Sequence, residues 1–413
     1  MTSFVHGLNL VITALFALGG AGMLFYAAVS FFRRTGPFPA SEGKHRFAVL
    51  ICARNEEAVI GELLESIQKQ TYPADRLTAF VMADNSTDRT AEIARERGAV
   101  CYTRTDPVHV GKGYALDALC RRVEEDYPGA FDGYFIFDAD NVLAPDFVER
   151  MDAVFSSGKR IVTGYRNTKN FESSLSSKGQ GVMFLTENRF LNYPRSLLGN
   201  GALVAGTGFL VDAGLIRENG GWPYHLLTED VEFTAAQLLK GNHAYHCRDA
   251  EFFDEQPVQL RASWTQRTRW IQGYLQVFRK YGAQLIGTGL RTRDYSCFDL
   301  ILCYFAPVLL MLAALLGNLA GGAAAAIQKG DALGALRQLL LPLLNGYGLM
   351  LCLGTATVVS EWKRIRASAG HKLLAIAAFP VYMMDYVFIG CVSLFKKRQW
   401  KEIRHSCSMN GKS

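Results

Sequence analysis

Four long stretches with almost no charge flank one polar central segment, and this arrangement constrains the fold more than any other feature. They are Gly7 to Phe32, Leu300 to Ile327, Gln338 to Ser360 and Leu373 to Phe395, and Asp385 is the one acid among them. Each exceeds the roughly 20 residues that cross a hydrocarbon core. Buried helices of globular proteins usually keep a polar face, which these stretches lack. The sequence therefore predicts membrane-spanning helices on both sides of a polar domain.

The charges around these stretches predict their orientation. Arg33 and Arg34 follow the first apolar run and do not precede it, which argues against the alternative of a cleaved signal peptide. Basic residues lie on the cytosolic side of a span, so residues 44–285 are predicted to be cytosolic. The basic segments 361–372 and 396–413 also look cytosolic. Three further crossings would place the segment 396–413 outside the cell. One of the last three stretches is therefore expected to be re-entrant or interfacial.

Composition narrows the class of protein further. The chain has 413 residues, of which 49% are apolar and 20% are charged, and this excludes a disordered chain. The net charge of +6 is modest, and the basic residues cluster beside apolar stretches, so they predict contact with a membrane and not with nucleic acid. The nine cysteines are scattered without a CxxC pair. A disulfide framework or a structural zinc site is therefore disfavoured.

Short apolar runs of strand length alternate with helical patterns in the polar segment. The runs are Phe47 to Ala53, Thr78 to Ala83, Val100 to Thr103 and Tyr134 to Phe137, and helical patterns over residues 56–70, 88–98 and 112–126 separate them. Nearly continuous apolar strands are typical of a parallel sheet that helices cover on both faces. Ligands of such sheets bind at the carboxyl ends of the strands. The sequence therefore predicts an α/β domain with its site at this edge.

Charged and amide side chains stand where these predicted strands end. They are Arg54, Asn55, Glu56, Asp84, Asp138 and Asp140. The two carboxylates of Asp138-Ala139-Asp140 are suited to a hard cation such as Mg²⁺ or Mn²⁺, which takes its other ligands from water and substrate phosphates. No GxGxxG motif follows the first strand, so a dinucleotide cofactor is disfavoured.

Two later segments carry further candidate groups. Thr228-Glu229-Asp230 precedes an apolar helical pattern, where acidic residues suit the helix dipole and a carboxylate is also able to take a proton from a hydroxyl group. The segment Gln266–Trp270 lies in a helical pattern over residues 258–282. At about 100° per residue, Gln266, Arg269 and Trp270 share one face, which suits a pyrophosphate and a stacked sugar.

The other side of this helix is apolar. It consists of Leu260, Trp264, Ile271, Leu275 and Phe278. Such a side predicts a helix that lies in the membrane interface, and an ordinary amphipathic surface helix is the alternative. Arg267 falls near the apolar side, so its guanidinium group is expected to extend towards the lipid headgroups.

Taken together and in this order, these motifs resemble those of the membrane-embedded family 2 glycosyltransferases. The likeness is to the processive β-polysaccharide synthases that make cellulose, chitin, hyaluronan and poly-N-acetylglucosamine. It implies a GT-A-like α/β nucleotide-sugar-binding domain, with a mostly parallel sheet, inserted between transmembrane helices. The implied units are an N-terminal transmembrane helix (1–33), a cytosolic glycosyltransferase domain (34–257), interfacial amphipathic helices (258–299), about three transmembrane helices (300–395) and a basic C-terminal tail (396–413).

The resemblance also implies a role for each matching residue. Contacts to the nucleotide sugar are implied for Arg54, Asn55, Glu56, Asp84, Lys112, Asp138, Gln266, Arg269 and Trp270. Contacts to the acceptor are implied for Gly206, Thr207, Gly208, Phe209, Glu229 and Trp270. Asp138 and Asp140 would bind Mg²⁺ or Mn²⁺, and Asp230 would be the general base.

The implied reaction transfers a sugar from a UDP-sugar to the end of a growing β-linked glycan by one inverting displacement. The implied location is the plasma membrane, with several spans, a cytosolic catalytic domain, and membrane lipids and secretion or accessory subunits as further partners. One departure is Ala83, which stands where many relatives have a second acid before Asp84. Because the spans are few, the sequence does not decide whether this chain alone would secrete a long polymer.

Two other functions are compatible with parts of the sequence. A non-processive enzyme that adds one sugar to a lipid carrier or glycolipid would share the nucleotide-sugar motifs. A transporter with a cytosolic ligand-sensing domain would account for Asp385 and the uneven spans, but it would leave three separate acidic motifs unexplained.

Overall fold

A mixed β-sheet of eight strands forms the centre of the polar segment in the computed structural model, which describes residues 2–36, 38–329 and 332–395. The strands are β1 (Phe47–Ala53), β2 (Leu77–Asp84), β3 (Val100–Arg104), β4 (Gly133–Asp138), β5 (Val142–Leu143), β6 (Ile161–Thr168), β7 (Phe209–Asp212) and β8 (Tyr245–Asp254). Their order across the sheet is β3-β2-β1-β4-β7-β6-β8-β5.

The two halves of the sheet differ in strand direction. Strands β1 to β4 are parallel, in the register that pairs Phe47 with Leu77 and with Gly133. Beyond β4, the short strand β7 runs antiparallel to both β4 and β6, whereas β8 is parallel to β6. The prediction of four parallel strands is therefore confirmed, but the complete sheet is mixed.

Helices cover the sheet and continue beyond it. Their bounds are α1 (Thr2–Phe32), α2 (Ile60–Gln68), α3 (Thr90–Glu96), α4 (Lys112–Asp126), α5 (Phe147–Phe155), α6 (Leu175–Glu187), α7 (Tyr193–Leu198), α8 (Ala213–Glu218), α9 (Glu229–Leu239), α10 (Leu260–Thr292), α11 (Tyr295–Leu300), α12 (Ala306–Lys329), α13 (Ala332–Ser360) and α14 (Ala369–Phe395). A short 3₁₀ turn spans Ala74–Arg76, and π-helical segments span Asn188–Asn192 and Ile301–Phe305.

Strand β1 shows why both faces of the sheet are covered. Its residues alternate between two hydrophobic cores because successive side chains of a strand point to opposite faces. Phe47, Val49 and Ile51 pack with side chains of α2 and α5, whereas Ala48 and Leu50 pack with side chains of α4, α8 and α9. The carboxyl ends of β1, β2 and β4 are left at one open edge.

Two of the described helices are long and apolar enough to cross a membrane. These candidate spans are Leu340–Ser360 and Ala369–Ser393. The first two apolar stretches of the sequence are also helical, and among the residues whose side chains are described they overlap the apolar helices Gly20–Phe32 and Tyr295–Phe305. The insertion of the sheet domain between spanning helices therefore stays a prediction, and the basic tail lies outside the described residues.

Helix α10 is longer than its sequence pattern, and protein covers its apolar side except at the exposed Leu260. Ile271 packs with Ile389 of α14, and the ring of Phe278 lies 5.5 Å from that of Phe305. The guanidinium group of Arg267 is fully buried; its Nη1 donates to the carbonyl oxygen of Tyr382 at 2.8 Å, and its Nη2 lies 3.3 Å from Asp385 Oδ2. The expectation that Arg267 extends to the lipid headgroups is wrong, because α14 lies where lipid was expected.

Candidate active site

The loops that follow β1 and β2 brace each other at the open edge of the sheet. Asn55 and Asn85 both adopt left-handed backbone conformations, which asparagine tolerates better than most residues. Asn55 Oδ1 accepts a hydrogen bond from the backbone N–H of Thr87 at 2.8 Å, and the N–H of Glu56 donates to Thr90 Oγ1 at 2.8 Å. The amide oxygen of Asn55 therefore holds the two loops together.

Asp84 ends β2 as a buried carboxylate that already has a cationic partner. Arg104 Nη1 donates to Asp84 Oδ1 at 2.5 Å, and Arg104 also pairs with Asp106 at 2.9 Å. The parallel register of β2 and β3 places Asp84 directly beside Arg104. Arg104 is the last residue of β3, the next strand along the chain, and belongs to none of the sequence motifs described above.

Lys112, Asp138 and Asp230 meet around the backbone of Gly206. Lys112 Nζ contacts the carboxylate of Asp138 and donates to the carbonyl oxygen of Gly206 at 2.7 Å. Gly206 has a φ of +77°, and a Cβ atom added there would lie 3.3 Å from Asp230 Oδ2. The backbone N–H of Asp138 donates to Thr207 Oγ1 at 2.9 Å. The loop after residue 205 thus joins three charged groups that are far apart in sequence.

Asp140 is buried beside this meeting point within a polar network. Asn141 Nδ2 donates to Asp140 Oδ1 at 3.3 Å and to Asp254 Oδ1 at 2.8 Å. Arg166 pairs with Asp254 at 2.6 Å. Burial disfavours the charged form of Arg166, but the carboxylates of Asp254, Asp138 and Asp140 raise the pKa of Arg166 above its usual value. Lys112, Asp138 and Asp140 are called the sheet wall below.

The sheet wall has the chemistry of a divalent-cation site that shares its ligands with a substrate. Among the described residues, no group of three or more His, Cys, Asp or Glu side chains forms a closed metal site. The carboxylate of Asp138 is 36% exposed, and an ammonium group rests against it. Two carboxylates fit Mg²⁺ or Mn²⁺, because these ions commonly keep waters and take their other ligands from phosphates.

Glu229 and Asp230 form the first turn of α9, and α10 packs closely against its start. A Cβ atom at Gly273 of α10 would lie only 2.4 Å from Thr228 Oγ1. Burial raises the pKa of Glu229 to about 7; the charge of Asp230 also raises it, whereas Lys112 and Arg269 lower it. Burial likewise raises the pKa of Asp230, against the opposing charges of Lys112 and Arg166. A carboxylate with a raised pKa is better able to accept a proton near neutral pH.

Helices α6, α10 and α14 form the opposite side of the site. Gln180 Nε2 donates to Gln266 Oε1 at 2.9 Å, and Tyr382 O–H donates to Gln180 Oε1 at 2.9 Å. Because its oxygen is occupied, Gln266 retains its amide N–H groups as donors for an anionic ligand. Trp270 packs its ring edge-on against Phe184 at 6.0 Å. Gln180, Gln266 and Trp270 are called the helix wall below.

A small cavity lies beside Arg166, which is close to the sheet wall, and Phe184, which contacts Trp270 of the helix wall. Its lining includes Arg166, Phe184, Glu187, Asn192 and Thr207. The guanidinium group of Arg166 lies 3.9 Å from the ring centroid of Phe184 and also donates to the carbonyl oxygen of Ala205 at 3.1 Å. Burial raises the pKa of Glu187 to about 7, against the charges of Arg195 and Arg166. Arg166 therefore connects the carboxylates of the sheet wall with the aromatic pair of the helix wall.

Residues of α6 and β6 that contact the two walls were not predicted from the sequence. Gln180, Phe184, Glu187 and Arg166 belong to no motif, and no spacing between residues 160 and 190 distinguishes them. The nearest structural signal is the π-helical segment Asn188–Asn192 directly after Glu187, since such segments are frequent at functional sites.

Some predicted site residues do not line the space between the walls. Phe209 is only 1% exposed and packs in the core beside Trp222 and Phe233, and its predicted acceptor contact stays a prediction. Gly208 permits close packing, because a Cβ atom there would lie 2.1 Å from the ring of Phe252. The segment Arg54–Glu56 and Asp84 lie farther along the edge, at the ends of β1 and β2.

The α/β domain carries acidic side chains at the carboxyl ends of its parallel strands, and a comparison with protein families identifies the class of protein. The model described as "Glycosyltransferase like family 2" matches residues 45–273, more than half of the chain. The chain belongs to this glycosyltransferase family. The family consists of enzymes, which favours an enzyme over the transporter alternative.

Curated relatives at low identity include two kinds of synthase. The probable glycosyltransferase YdaM of Bacillus subtilis is 28% identical over 66% of this chain and 65% of its own. A beta-monoglucosyldiacylglycerol synthase of Synechocystis is 26% identical over 60% of this chain and 50% of its own. A poly-beta-1,6-N-acetyl-D-glucosamine synthase of Staphylococcus epidermidis is 24% identical over 61% of each chain. The matches thus span between half and two thirds of these relatives.

A solved structure shares the fold. It is the mannosyltransferase PcManGT of Pyrobaculum calidifontis in complex with GDP-Man and Mn²⁺, and the similarity covers 95% of this chain and 100% of that one. The TM-score is 0.58 and the sequences are 19% identical. At this identity the similarity establishes the GT-A-like fold alone.

Proposed function

We propose that this protein transfers a sugar from a UDP-sugar to the end of a growing β-linked glycan, with inversion at the anomeric carbon. Membership of the glycosyltransferase family supports the reaction type. The observation that carries the proposal is the meeting of Lys112, Asp138 and Asp230 around Gly206. It supports the proposal because an ammonium group and two carboxylates then lie within one small volume.

In the proposed reaction, the acceptor oxygen forms a bond to the anomeric carbon while the bond from that carbon to the diphosphate breaks. Asp230 takes the proton of the acceptor hydroxyl, and its raised pKa suits this role. Lys112 and Arg269 balance the negative charge that develops on the departing nucleoside diphosphate. One displacement turns an α-linked donor into a β-linked product.

The sheet wall would hold the divalent cation through Asp138 and Asp140. When bound, the cation neutralises charge on the diphosphate and so makes it a better leaving group. The ammonium group of Lys112 already lies against Asp138, so these residues keep the donor end of the site electrically balanced.

The helix wall would hold the diphosphate and the acceptor. Gln266 offers amide N–H groups, and Arg269 Nε is buried without a hydrogen-bond partner among the described residues, so both have donors available for an anion. The indole of Trp270, braced by Phe184, offers an apolar face to the acceptor sugar.

The addition of one sugar to a glycolipid is the second candidate function. The similarity to beta-monoglucosyldiacylglycerol synthases is as close as the similarity to poly-N-acetylglucosamine synthases and favours it. Both acceptors would approach from a membrane surface. We propose that α13 and α14 cross the plasma membrane, together with the further predicted spans, and that the sheet domain lies in the cytosol.

The test is a donor screen with the full chain in lipid nanodiscs. UDP-glucose, UDP-N-acetylglucosamine and GDP-mannose are supplied with Mg²⁺ or Mn²⁺, and released nucleotide and product mass are measured against Asp230→Asn. Release of UDP that depends on Asp230 supports sugar transfer. A ladder of products supports elongation, and a product larger by one sugar supports the second candidate. No release from any donor would overturn the proposal.

A further inference from the structure

A cluster of three arginines surrounds one buried carboxylate at the end of α13. Glu361 is 1% exposed, and its carboxylate oxygens lie 3.4 Å from Arg189 Nε, 3.5 Å from Arg248 Nη2 and 3.6 Å from Arg364 Nε. Tyr165 O–H also donates to it at 2.9 Å. Asp249, which is exposed and lies 3.6 Å from Arg364, is the next carboxylate. This cluster, called the arginine cluster below, has more positive than negative charge.

The guanidinium groups of this cluster have unused hydrogen-bond donors. Arg189 is 8% exposed, and within the described chain its Nε and Nη1 have no hydrogen-bond partner. Its guanidinium group lies over the rings of Phe31 and Tyr193, at 5.1 and 6.0 Å. Arg248 Nε is also buried without a hydrogen-bond partner among these residues. Glu361 Oε1, which also lacks a hydrogen bond, faces Arg189 Nε at 3.4 Å, so Arg189 Nη1 and Arg248 Nε are the donors left without an acceptor among the described residues. Buried donors of a charged group are normally satisfied, so these two point to an acceptor that is supplied from outside the chain.

His246 does not supply that acceptor charge. Its two ring nitrogens are buried with no hydrogen-bond partner among the described residues, and burial, helped by Arg364 and Arg248, lowers its pKa to about 3. The ring is therefore neutral near pH 7 and adds no charge to the arginine cluster.

The arginine cluster lies where two apolar helices end. Glu361 directly follows Ser360, the last residue of a candidate span. Ser30 Oγ, close to the end of α1, donates to the carbonyl oxygen of Arg189 at 2.8 Å. The exposed residues Arg33 and Arg34 follow α1. This is the level at which lipid headgroups meet a spanning helix, and the side chain of Arg248, 30% exposed, gives access to the cluster.

We propose that the arginine cluster binds the phosphate group of an anionic lipid headgroup. Phosphate oxygens accept paired hydrogen bonds from guanidinium groups, and they would fill the donors of Arg189 and Arg248. The proposal rests on the proposed membrane attachment and not on sugar transfer. A bound headgroup joins β8, the π-helical segment after α6 and the loop before α14, and so fixes the sheet domain at one depth relative to the bilayer.

The experiment compares the full chain in three settings. Thermal unfolding is measured in nanodiscs of phosphatidylcholine alone, in nanodiscs that also contain phosphatidylglycerol, and in phosphatidylcholine nanodiscs with added inorganic phosphate. Stabilisation by phosphatidylglycerol but not by inorganic phosphate is the expected result. Equal stabilisation by inorganic phosphate would assign the site to a free anion and overturn the lipid proposal. A protein that does not insert into any nanodisc would overturn the membrane attachment and this proposal with it.

Two variants separate the site from general attraction to negative lipid. Arg248→Gln is expected to weaken phosphatidylglycerol binding, measured by native mass spectrometry, by about tenfold, which is the loss expected for one charge-assisted hydrogen bond. The matched control is Arg366→Gln, which removes an exposed arginine from the loop that carries Arg364. The guanidinium group of Arg366 lies 3.9 Å from the ring centroid of Phe253. Equal losses in both variants, or no loss in Arg248→Gln, would contradict a specific site. UDP release measured in parallel distinguishes this failure from a failure of sugar transfer.

Discussion

The sheet wall and the helix wall are linked through Arg166 and Phe184, but they hold their polar groups in different ways. The sheet wall consists of charges balanced by charges, as in the contact of Lys112 with Asp138. The helix wall consists of neutral amides and an indole, held through Gln180 by the O–H of Tyr382 on a candidate span. We infer that the first wall governs the chemical step and that the second governs how substrates are positioned.

The largest expected effect comes from Asp230, the proposed general base. Asp230→Asn keeps the shape of the side chain but removes its ability to take a proton, so turnover should fall on the order of 10²–10⁴-fold. UDP affinity, measured by calorimetry, should change less than the turnover number. Glu229→Gln is the matched control at the neighbouring position. Near-normal turnover in Asp230→Asn would show that another group is the base.

A smaller loss is expected at the sheet wall when one cation ligand is weakened. Asp140→Asn keeps the hydrogen-bonding shape within its network but loses a charge, so the Mn²⁺ concentration for half-maximal activity should rise about 10- to 100-fold. The activity at saturating Mn²⁺ should partly recover. Asn141→Asp, which adds a charge beside the same network, tests whether any acid there suffices. Full activity of Asp140→Asn without metal would contradict the ligand role.

The pH dependence of the reaction tests the charge balance of the sheet wall. The raised pKa values of Glu229, about 7, and Asp230 mean that these groups are protonated at low pH, so kcat/KM should rise as the pH increases through that range. Lys112→Met removes a positive charge that lowers both pKa values, so the rise should move to higher pH. The exposed Lys69→Met serves as control. If the pH dependence of kcat/KM were the same in Lys112→Met, Lys112 would have no influence on the pKa values of Glu229 and Asp230.

The smallest effect is expected at the far end of the helix wall. Tyr382→Phe deletes the hydroxyl that holds Gln180, a bond worth about 0.5–1.5 kcal/mol, so KM for the donor should rise about 2- to 10-fold with kcat almost unchanged. Tyr386→Phe is the control, since its hydroxyl contacts only the sulfur of Met183, at 3.4 Å, among the contacts described. If Tyr382→Phe lowered kcat as much as the sheet-wall variants do, the inferred difference in role between the two walls would be wrong.

Much of the sheet wall was predictable from the sequence because its elements are local. The apolar run Phe47–Ala53 and the helix Lys112–Asp126 have the bounds that the sequence predicts, and the acids stand at strand ends. The second half of the sheet was not predicted. Strand β7 has only four residues, and β6 and β8 contain polar residues such as Arg166 and Asp254 that interrupt the apolar pattern.

The helix wall was only partly predictable because its contacts join distant segments. Gln266 and Trp270 were recognised on one helix face, but Gln180 is 86 residues from Gln266 and 202 from Tyr382. Arg267 shows the same difficulty, since its partner Asp385 is 118 residues away. A helical pattern indicates which residues share a side, but not which other helix covers that side.

Gly273 has a consequence for how the membrane part and the catalytic part are aligned. A methyl group there would meet Thr228 Oγ1 at 2.4 Å, about 1 Å inside normal contact distance. Any larger residue would wedge α10 away from the acidic pair, and displacements of about 1 Å are enough to slow a reaction about 100-fold. The absence of one carbon atom at Gly273 thus lets α10 lie directly against the start of α9, beside Glu229 and Asp230.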